Sequence, residues 1–466
     1  MLFSSLSFLY LFLPLVLAVY YLVPAKLKNV ILLLFSLLFY YIGEQKLVLL
    51  LLLSSVVDYT CSLGIERFRH KTGMPRLFLG LSLAANIALL GYFKYIDLII
   101  RSINAVLDTQ LDLLKVALPI GISFFTFQTM SYTFDVYRGD VKAERNFLDF
   151  FTYVSLFPQL IAGPIVRYKT VAVELKERTF DLESFASGIG RFCVGLGKKI
   201  LIANTLAVAC KTYAGMADKT VLMTWVYAIS FSLQIYFDFS GYSDMAIGLG
   251  KLFGFSFPEN FNYPFIAKSV TEFWRRWHMT LGVWFRDYVY IPMGGNRVKA
   301  GRFVLNILVV WFLTGLWHGA EYNFVVWGLY YGLLLLMEKF LLKKALQLSR
   351  VLSHLYLLLI TVLGFVLFDA AGISEALRTS GRLFGIGAAL TNTVSTYYAR
   401  SYAPVIVIAA ILATPLAKQA YAALKKHRAG KQVCSFLEPA VSLLLLILST
   451  AYLVDGSYNP FMYFRF

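Results

Sequence analysis

Residues 303–320 read FVLNILVVWFLTGLWHGA, and this stretch decides the class of fold. It is mainly apolar from Phe303 to Trp317 and then reaches the ionisable residue His318. A helix of about 20 apolar residues can cross the hydrocarbon core of a bilayer. An ionisable residue at the end of such a segment is a functional hypothesis by default, because charge is costly inside a membrane.

Similar apolar stretches recur along the whole chain, which is 59% hydrophobic and only 15% charged. In a soluble domain about a quarter of the residues are charged. We therefore predict an all-α polytopic membrane protein that forms a single membrane domain over residues 1–466. Some stretches are too short for a full span and are candidates for re-entrant segments. The stretches are residues 5–23, 27–42, 46–63, 77–96, 119–137, 148–165, 187–209, 221–237, 302–317, 322–338, 352–371, 403–420 and 436–453.

The net charge of +17 does not favour nucleic-acid binding, because most of the Lys and Arg residues lie in loops between apolar stretches. Cytoplasmic loops of membrane proteins carry this excess of basic residues. We therefore expect the basic loops to be cytoplasmic and both termini to be extracytoplasmic, with 148–165 entering and leaving on one side. No Lys or Arg precedes Lys26, so we expect the first stretch to be a retained span rather than a signal peptide.

The segment 257–302 interrupts the apolar pattern with charged and ionisable residues among many aromatic ones. It is too polar to face lipid, where a central charge costs at least ~2.5–3.5 kcal/mol. As one helix, residues 272–287 would separate aromatic from charged side chains. We predict an interfacial or re-entrant helix that lines protein or a cavity. These residues include Glu259, Glu272, Arg275, Arg276, His278, Arg286 and Asp287.

Two of the five histidines are candidates for chemistry. On a helix, Thr314 and Gly315 share a face with His318, and their small size would leave space for a substrate. The alternative is a histidine that hydrogen-bonds for helix packing. His278 lies 40 residues earlier, and no third ligand accompanies the two, whereas zinc usually takes three or four. We therefore expect no metal site, but a base with an orienting or substrate-binding partner.

Two further clusters place unusual residues in apolar surroundings. Residues 157–167 (FPQLIAGPIVR) contain Pro and Gly, which predicts a broken helix. Asp238 and Asp244, with hydroxyl side chains between them, lie at membrane depth, where acids are normally paired. We expect them to pair with the arginines of the polar segment.

Together these stretches resemble the membrane-bound O-acyltransferase family, in its bacterial alginate O-acetyltransferase-like branch, over nearly the whole chain. A single such motif could arise by chance, but this many in order is highly specific. The matching residues are 157–167, 238–248 (DFSGYSDMAIG), 260–265 (NFNYPF), 273–281 (FWRRWHMTL), 284–295 (WFRDYVYIPMGG) and 315–320 (GLWHGA).

The resemblance implies that His318 is the catalytic residue and that His278 is the second signature residue. It implies 11–13 transmembrane or re-entrant helices around a thin centre, with the motif-bearing core at about 119–340. A tunnel would admit an acyl thioester, acetyl-CoA in the first instance, as a substrate rather than a tightly bound cofactor. Candidates to line or support this tunnel are Asp238, Arg276, Asp287, Thr314, Gly315 and Trp317.

The C-terminal residues 458–466 (YNPFMYFRF) resemble a terminal motif of relatives that acylate envelope polymers. By that resemblance Tyr463 would carry the acyl group to a secreted or membrane-anchored acyltransferase of the SGNH type. The alternative is an aromatic anchor at the membrane interface, where Tyr is common.

The expected function is acetyl transfer from a cytoplasmic thioester towards an extracytoplasmic polysaccharide, in the bacterial cytoplasmic membrane. Two alternatives stay open. One is D-alanyl transfer from a carrier protein to teichoic acid. The other is a non-catalytic transporter or scaffold for a secreted transferase.

Overall fold

The computed structural model describes residues 1–456, in which the chain forms α-helices joined by short π- and 3-10 turns, without a strand. The predicted all-α class is confirmed. The C-terminal motif 458–466, with Tyr463, lies outside the described residues.

The chain divides into two compact units, the first made of Met1–Phe192 and Met245–Pro258. The single domain over 1–466 stays a prediction. The helices of the first unit are α1 (Leu13–Leu22), α2 (Lys28–Glu44), α3 (Val48–Arg67), α4 (Met74–Leu90), α5 (Ile96–Leu107), α6 (Ile122–Arg138), α7 (Phe147–Ser155), α8 (Phe157–Leu160) and α9 (Tyr168–Lys176).

The second unit is made of Cys193–Asp244 and the described residues from Glu259 onward. Helices α10 (Leu182–Gly197) and α12 (Val221–Leu252) contribute residues to both units. The other helices of the second unit are α11 (Asn204–Gly215), α13 (Val270–Trp274), α14 (Met279–Phe285), α15 (Ala300–His318), α16 (Tyr322–Met337), α17 (Ala345–Leu348), α18 (Arg350–Asp369), α19 (Ile373–Leu383), α20 (Thr393–Leu412), α21 (Leu416–Leu424) and α22 (Arg428–Val454).

Seven helical segments of the described chain are long and apolar enough to cross a membrane. An eighth is obtained if α20 and α21, which are bent by 59° at their junction, form one span. The protein is therefore a multi-pass membrane protein, as the sequence predicts. The seven segments are Ala25–Arg67, Met74–Leu107, Leu182–Gly215, Ala300–His318, Tyr322–Leu342, Arg350–Asp369 and Arg428–Val454.

The break predicted within residues 157–167 is confirmed in the first unit. Helix α7 ends at Ser155, α8 lasts only from Phe157 to Leu160, and no helix follows until Tyr168. Pro158 lies in the first turn of α8, where its missing N–H costs no helical hydrogen bond.

A buried acid is satisfied by neutral side chains elsewhere in the first unit. Asp58 of α3 accepts hydrogen bonds from the Ser82 hydroxyl and, at 2.9 and 3.0 Å, from the Asn86 amide of α4. The Thr133 hydroxyl of α6 approaches it at 3.5 Å. These bonds join three helices around one carboxyl group, because a polar group buried away from water must find its partners within the protein.

The single helix predicted over residues 272–287 is wrong, because the structure breaks it between α13 and α14. His278 adopts a left-handed conformation, with φ at 45°. In a continuous helix the Met279 N–H would bond to the Arg275 carbonyl. It instead donates to the Asn260 carbonyl at 2.9 Å, so a tertiary hydrogen bond ends the helix.

Helices α15 and α16 pack with their backbones in close contact at two glycines. A Cβ built on Gly315 would lie 2.3 Å from the Phe324 carbonyl oxygen, and one on Gly328 would lie 2.2 Å from that of Trp311. Small residues allow such close approach of membrane helices. The substrate space expected beside Gly315 is therefore filled by α16, and that expectation is wrong.

This contact predicts that Gly315→Ala destabilises the protein. The new methyl group would meet main-chain atoms that cannot move cheaply, and overpacking of this kind costs about 1–3 kcal/mol. The matched control is Gly301→Ala in the first turn of the same helix, where no atom lies within 4 Å of the added Cβ. The thermal unfolding midpoint of the purified protein should fall for Gly315→Ala only. Equal midpoints for the two variants would contradict the packing role.

Candidate active site

His318 is the last residue of α15, and its imidazole is enclosed by aromatic rings of three helices. Its ring centroid lies 5.0 Å from that of Trp317, 4.9 Å from that of Trp327 on α16 and 5.4 Å from that of Phe368 on α18. All three pairs are edge-on, the geometry that aromatic rings prefer. The imidazole is therefore buried in apolar surroundings at the end of its helix.

His278 precedes the first residue of α14 and is also buried. Its Nδ1 lies 3.0 Å from the Asn260 side-chain oxygen. Its ring packs edge-on against Phe239 of α12, with centroids 4.7 Å apart, and contacts Trp317 at 5.6 Å. One ring, that of Trp317, therefore contacts both candidate histidines.

The environment of His278 keeps this imidazole uncharged. Burial lowers the pKa of His278 well below its ordinary value, and the positive charge that His318 can carry lowers it further. The neutral form of a histidine ring has one nitrogen that can accept a proton. His278 therefore offers a buried hydrogen-bond acceptor or base at neutral pH.

The carboxylate of Glu338, the first residue of the π-turn that follows α16, binds the beginning of the segment that carries His278. Glu338 is buried and accepts hydrogen bonds from the backbone N–H of Val270 at 2.6 Å and of Thr271 at 3.1 Å. The Thr271 hydroxyl also donates to it at 3.1 Å. A carboxylate at a helix N-terminus satisfies N–H groups that have no partner within the helix.

Trp274 holds the same segment against α15 and α16. Its ring centroid lies 4.9 Å from that of Trp311, 5.5 Å from that of Trp327 and 4.8 Å from that of Tyr331. Trp327 in turn contacts His318. Trp327 therefore connects the segment that carries His278 with the imidazole of His318.

Two ion pairs join α12 to the π-turn Lys198–Ala203 that follows α10. Lys199 lies 2.6 Å from Asp238, and Lys198 lies 2.6 Å from Asp244. The first pair is almost fully buried, with side chains 2% and 4% exposed. The predicted pairing of both acids is confirmed, but the expected arginine partners are wrong: these cations are lysines.

The arginines of the polar segment have other roles. Arg276 bonds to Glu272, four residues earlier, at 2.9–3.0 Å and donates to the Asn262 carbonyl at 3.1 Å. Arg286 pairs with its neighbour Asp287 at 2.7 Å, and Arg275 is exposed. The lysines reach the acids because α12 passes very close to them: a Cβ on Gly241 would lie 2.7 Å from the Gly195 carbonyl oxygen.

This arrangement can be compared with known proteins. A family model described as the membrane-bound O-acyltransferase family matches residues 37–377, which is most of the chain and includes both histidines. The chain belongs to the membrane-bound O-acyltransferase family. The resemblance drawn from the sequence motifs is thereby confirmed, and the protein is an O-acyltransferase.

Several relatives are similar over long parts of their sequences. A probable alginate O-acetylase of Pseudomonas putida is 36% identical over the full length of both chains. Its counterpart in Azotobacter vinelandii is 40% identical over 83% of this chain and 79% of the relative. A peptidoglycan O-acetyltransferase of Helicobacter pylori is 32% identical over 100% of this chain and 98% of the relative. This similarity agrees with the alginate O-acetyltransferase-like branch.

The candidate residues of this acyltransferase are thus partly brought together. Trp317 contacts both His278 and His318, and Asp238 precedes the Phe239 that packs on His278. The Thr314 hydroxyl donates to the Val310 carbonyl of its own helix at 2.7 Å. Arg276 and Asp287 take part in the ion pairs given above. Within residues 1–456 no three His, Cys, Asp or Glu side chains form a group that could hold a metal ion.

Three residues of the site were not among the sequence candidates. Lys199 and Glu338 lie in apolar stretches, so the cost of an intramembrane charge was a usable signal for both. Asn260 belongs to the motif 260–265 and was noted only as part of the resemblance. Its contact with His278 depends on a chain reversal that no local pattern specifies.

The difference in burial between the two lysine pairs predicts different costs of removing them. Lys199→Met would leave the Asp238 carboxylate without its lysine in a dry site, and breaking a buried pair in this way costs about 3–5 kcal/mol. Lys198→Met is the matched control, because its pair is more exposed, at 26% and 15%. Unfolding midpoints of the two variants measure this difference. A Lys199→Met variant no less stable than Lys198→Met would refute the larger stabilising role of the buried Lys199–Asp238 pair.

Proposed function

We propose that this enzyme takes an acetyl group from acetyl-CoA on the cytoplasmic side of a bacterial cytoplasmic membrane. The acetyl group is passed towards an extracytoplasmic polysaccharide through a secreted or membrane-anchored acyltransferase of the SGNH type. The single observation that carries the proposal is the contact of His278 and His318 with one ring, that of Trp317, inside an apolar site.

The chemistry follows from the properties of the reactants. A thioester is already activated, so the enzyme must mainly deprotonate the attacking hydroxyl and hold both reactants. His318 accepts the hydroxyl proton as the oxygen attacks the thioester carbonyl carbon. The carbon–sulfur bond then breaks, and the departing thiolate receives the proton from the imidazolium. The aromatic rings around His318 limit competing hydrolysis by excluding water.

The proposed direction of transfer rests on charge and helix length. Arg297 and Lys299 precede α15 and Arg302 lies in its first turn, and basic residues of this kind mark the cytoplasmic side. The 19 residues of α15 extend for about 28 Å, close to the thickness of the hydrocarbon core. His318, at the far end, is then nearer the outer face, where an acceptor arrives. The same charge pattern supports an extracytoplasmic position of both termini.

The nature of the group and of the acceptor is proposed from the relatives. They are named for acetyl transfer to alginate and to peptidoglycan, two polymers that lie outside the cytoplasm. The transferred group is common to these names and the polymer is not. We therefore assign acetyl as the group and leave the acceptor as an extracytoplasmic polysaccharide.

The role of His318 as the general base can be tested by substitution. His318→Ala should lower acetyl transfer by about 10²–10⁴-fold, the contribution that a positioned general base typically makes. Alkali-labile acetate on the envelope polymer would be measured in cells that depend on this protein for the modification. His70→Gln is the control, because His70 is exposed.

The outcomes of these measurements separate acetyl transfer, D-alanyl transfer and a non-catalytic scaffold. Full acetylation with the folded His318→Ala variant would favour a scaffold for a separate transferase. Incubation of the purified protein with ¹⁴C-acetyl-CoA tests the donor directly. No transfer from acetyl-CoA, but transfer from a D-alanyl carrier protein, would replace acetyl transfer with D-alanylation.

The second prediction concerns Tyr463, which we propose as the acyl carrier at the outward-facing C-terminus. Tyr463→Phe removes the only atom that can form the ester and should abolish polymer acetylation. Tyr458→Phe, in the same motif, should leave it intact. Label from ¹⁴C-acetyl-CoA should appear on the C-terminal peptide of the wild-type chain. Normal acetylation by Tyr463→Phe would eliminate the carrier role.

A further inference from the structure

The side chain of Asn260 makes four hydrogen bonds, and their directions fix its orientation. Its Oδ1 lies 3.3 Å from the backbone nitrogen of Thr280 and 2.9 Å from the Thr280 hydroxyl. The third neighbour of this oxygen, at 3.0 Å, is Nδ1 of His278. Its Nδ2 lies 3.2 Å from the Ser243 hydroxyl. A backbone N–H can only donate, so the atom facing Thr280 is the amide oxygen rather than the amide nitrogen.

That orientation determines the position of the ring proton of His278. An amide oxygen only accepts hydrogen bonds, so the ring nitrogen beside it must donate. We infer that Asn260 is a positioning residue that holds His278 in the neutral tautomer with its proton on Nδ1, and that Nε2 is consequently the proton-accepting nitrogen. No sequence motif or comparison assigns this role to Asn260. The inference rests on the proposed function for its catalytic consequence, but the tautomer can be tested without it.

The backbone of the same residue supports this geometry. The Asn260 carbonyl accepts a hydrogen bond from the Met279 N–H at 2.9 Å, and the Asn262 N–H donates to the Arg276 carbonyl at 2.9 Å. These bonds flank His278 on both sides and hold it in the left-handed conformation, which is uncommon for a residue other than glycine. Residues held in this way occur at functional sites, where the surrounding structure offsets the strain.

The consequence is a division of roles between the two ring nitrogens. Nδ1 faces Asn260, and Nε2 lies on the opposite side of the ring. When a hydrogen bond fixes the proton on one ring nitrogen of a neutral histidine, the other nitrogen is left unprotonated. The fixed Nε2 lone pair can orient the imidazolium that forms at His318 or accept a proton from the substrate. Either role requires the tautomer that Asn260 imposes.

Asn260→Asp and Asn260→Leu test the inference in opposite directions. The carboxylate of Asn260→Asp still accepts from Nδ1 and keeps the tautomer, but its charge stabilises the protonated ring. Because transfer needs the neutral ring, the acid limb of the pH–rate profile should move to higher pH by about 1–3 units. Asn260→Leu offers no acceptor, and we expect kcat to fall about 10–100-fold, by analogy with the loss when the partner that orients a metal-binding histidine is removed.

Ser243→Ala is the matched control, because it removes a contact of the Asn260 amide nitrogen and leaves the oxygen facing His278. It should retain the wild-type pH profile. A merely structural role for Asn260 would lower the amount of folded protein in both Asn260 variants without moving that profile.

The tautomer itself is read by ¹⁵N NMR of the full chain labelled at histidine. The five histidines give a small set of signals, and His278→Ala identifies those of His278. We expect a protonated Nδ1 and an unprotonated Nε2 in the wild type and in Asn260→Asp, but not in Asn260→Leu. A proton on Nε2 in the wild type, or an unchanged pattern in Asn260→Leu, would overturn the inference. The expected NMR pattern in a chain that transfers no acetyl group would instead refute the proposed function alone.

Discussion

Polar groups buried away from water must find partners within the protein, and this constraint organises both units of the chain. In the first unit the Asp58 carboxyl is surrounded by the Ser82 hydroxyl and the Asn86 amide. In the second, the buried carboxylate of Asp238 is paired with Lys199. Each arrangement joins different helical segments. The polar contacts therefore select which helices meet, whereas lipid-facing apolar surface does not distinguish one neighbour from another.

The same constraint explains how a polar, irregular segment can carry the site. Non-helical backbone within a membrane protein is tolerated where protein covers it. Here Glu338 satisfies the N–H groups at the beginning of α13, and the Asn260 carbonyl satisfies that of Met279 at the beginning of α14. Trp274 adds an apolar anchor on α15 and α16. The segment is fixed at both breaks, and His278 is held at the second of them.

The sequence predicts features that depend on composition and local pattern, and it misses those set by helix crossings. Apolar length predicts the membrane helices, and Pro158 with Gly163 predicts the break after α7. Motif order relates His278 to His318. The break at His278 was missed because a continuous amphipathic helix fits residues 272–287, whereas the backbone bonds that compete with it join Met279 and Arg276 to residues 19 and 14 positions earlier. The lysine partners of Asp238 and Asp244 were missed because they depend on the close passage of Gly241 by Gly195.

The surroundings of His318 also bear on where an acceptor polymer is recognised. The rings that contact this imidazole belong to Trp317, Trp327 and Phe368, and such a wall suits a small apolar acyl group better than a hydroxyl-rich sugar. Sugar recognition relies on convergent polar groups that fix orientation. Relatives named for alginate and for peptidoglycan are similar to this chain over nearly their whole length. Under the proposed function, it is therefore the extracytoplasmic partner, rather than the membrane enzyme, that selects the polymer. The membrane enzyme then needs to recognise only the acyl group and the hydroxyl that receives it.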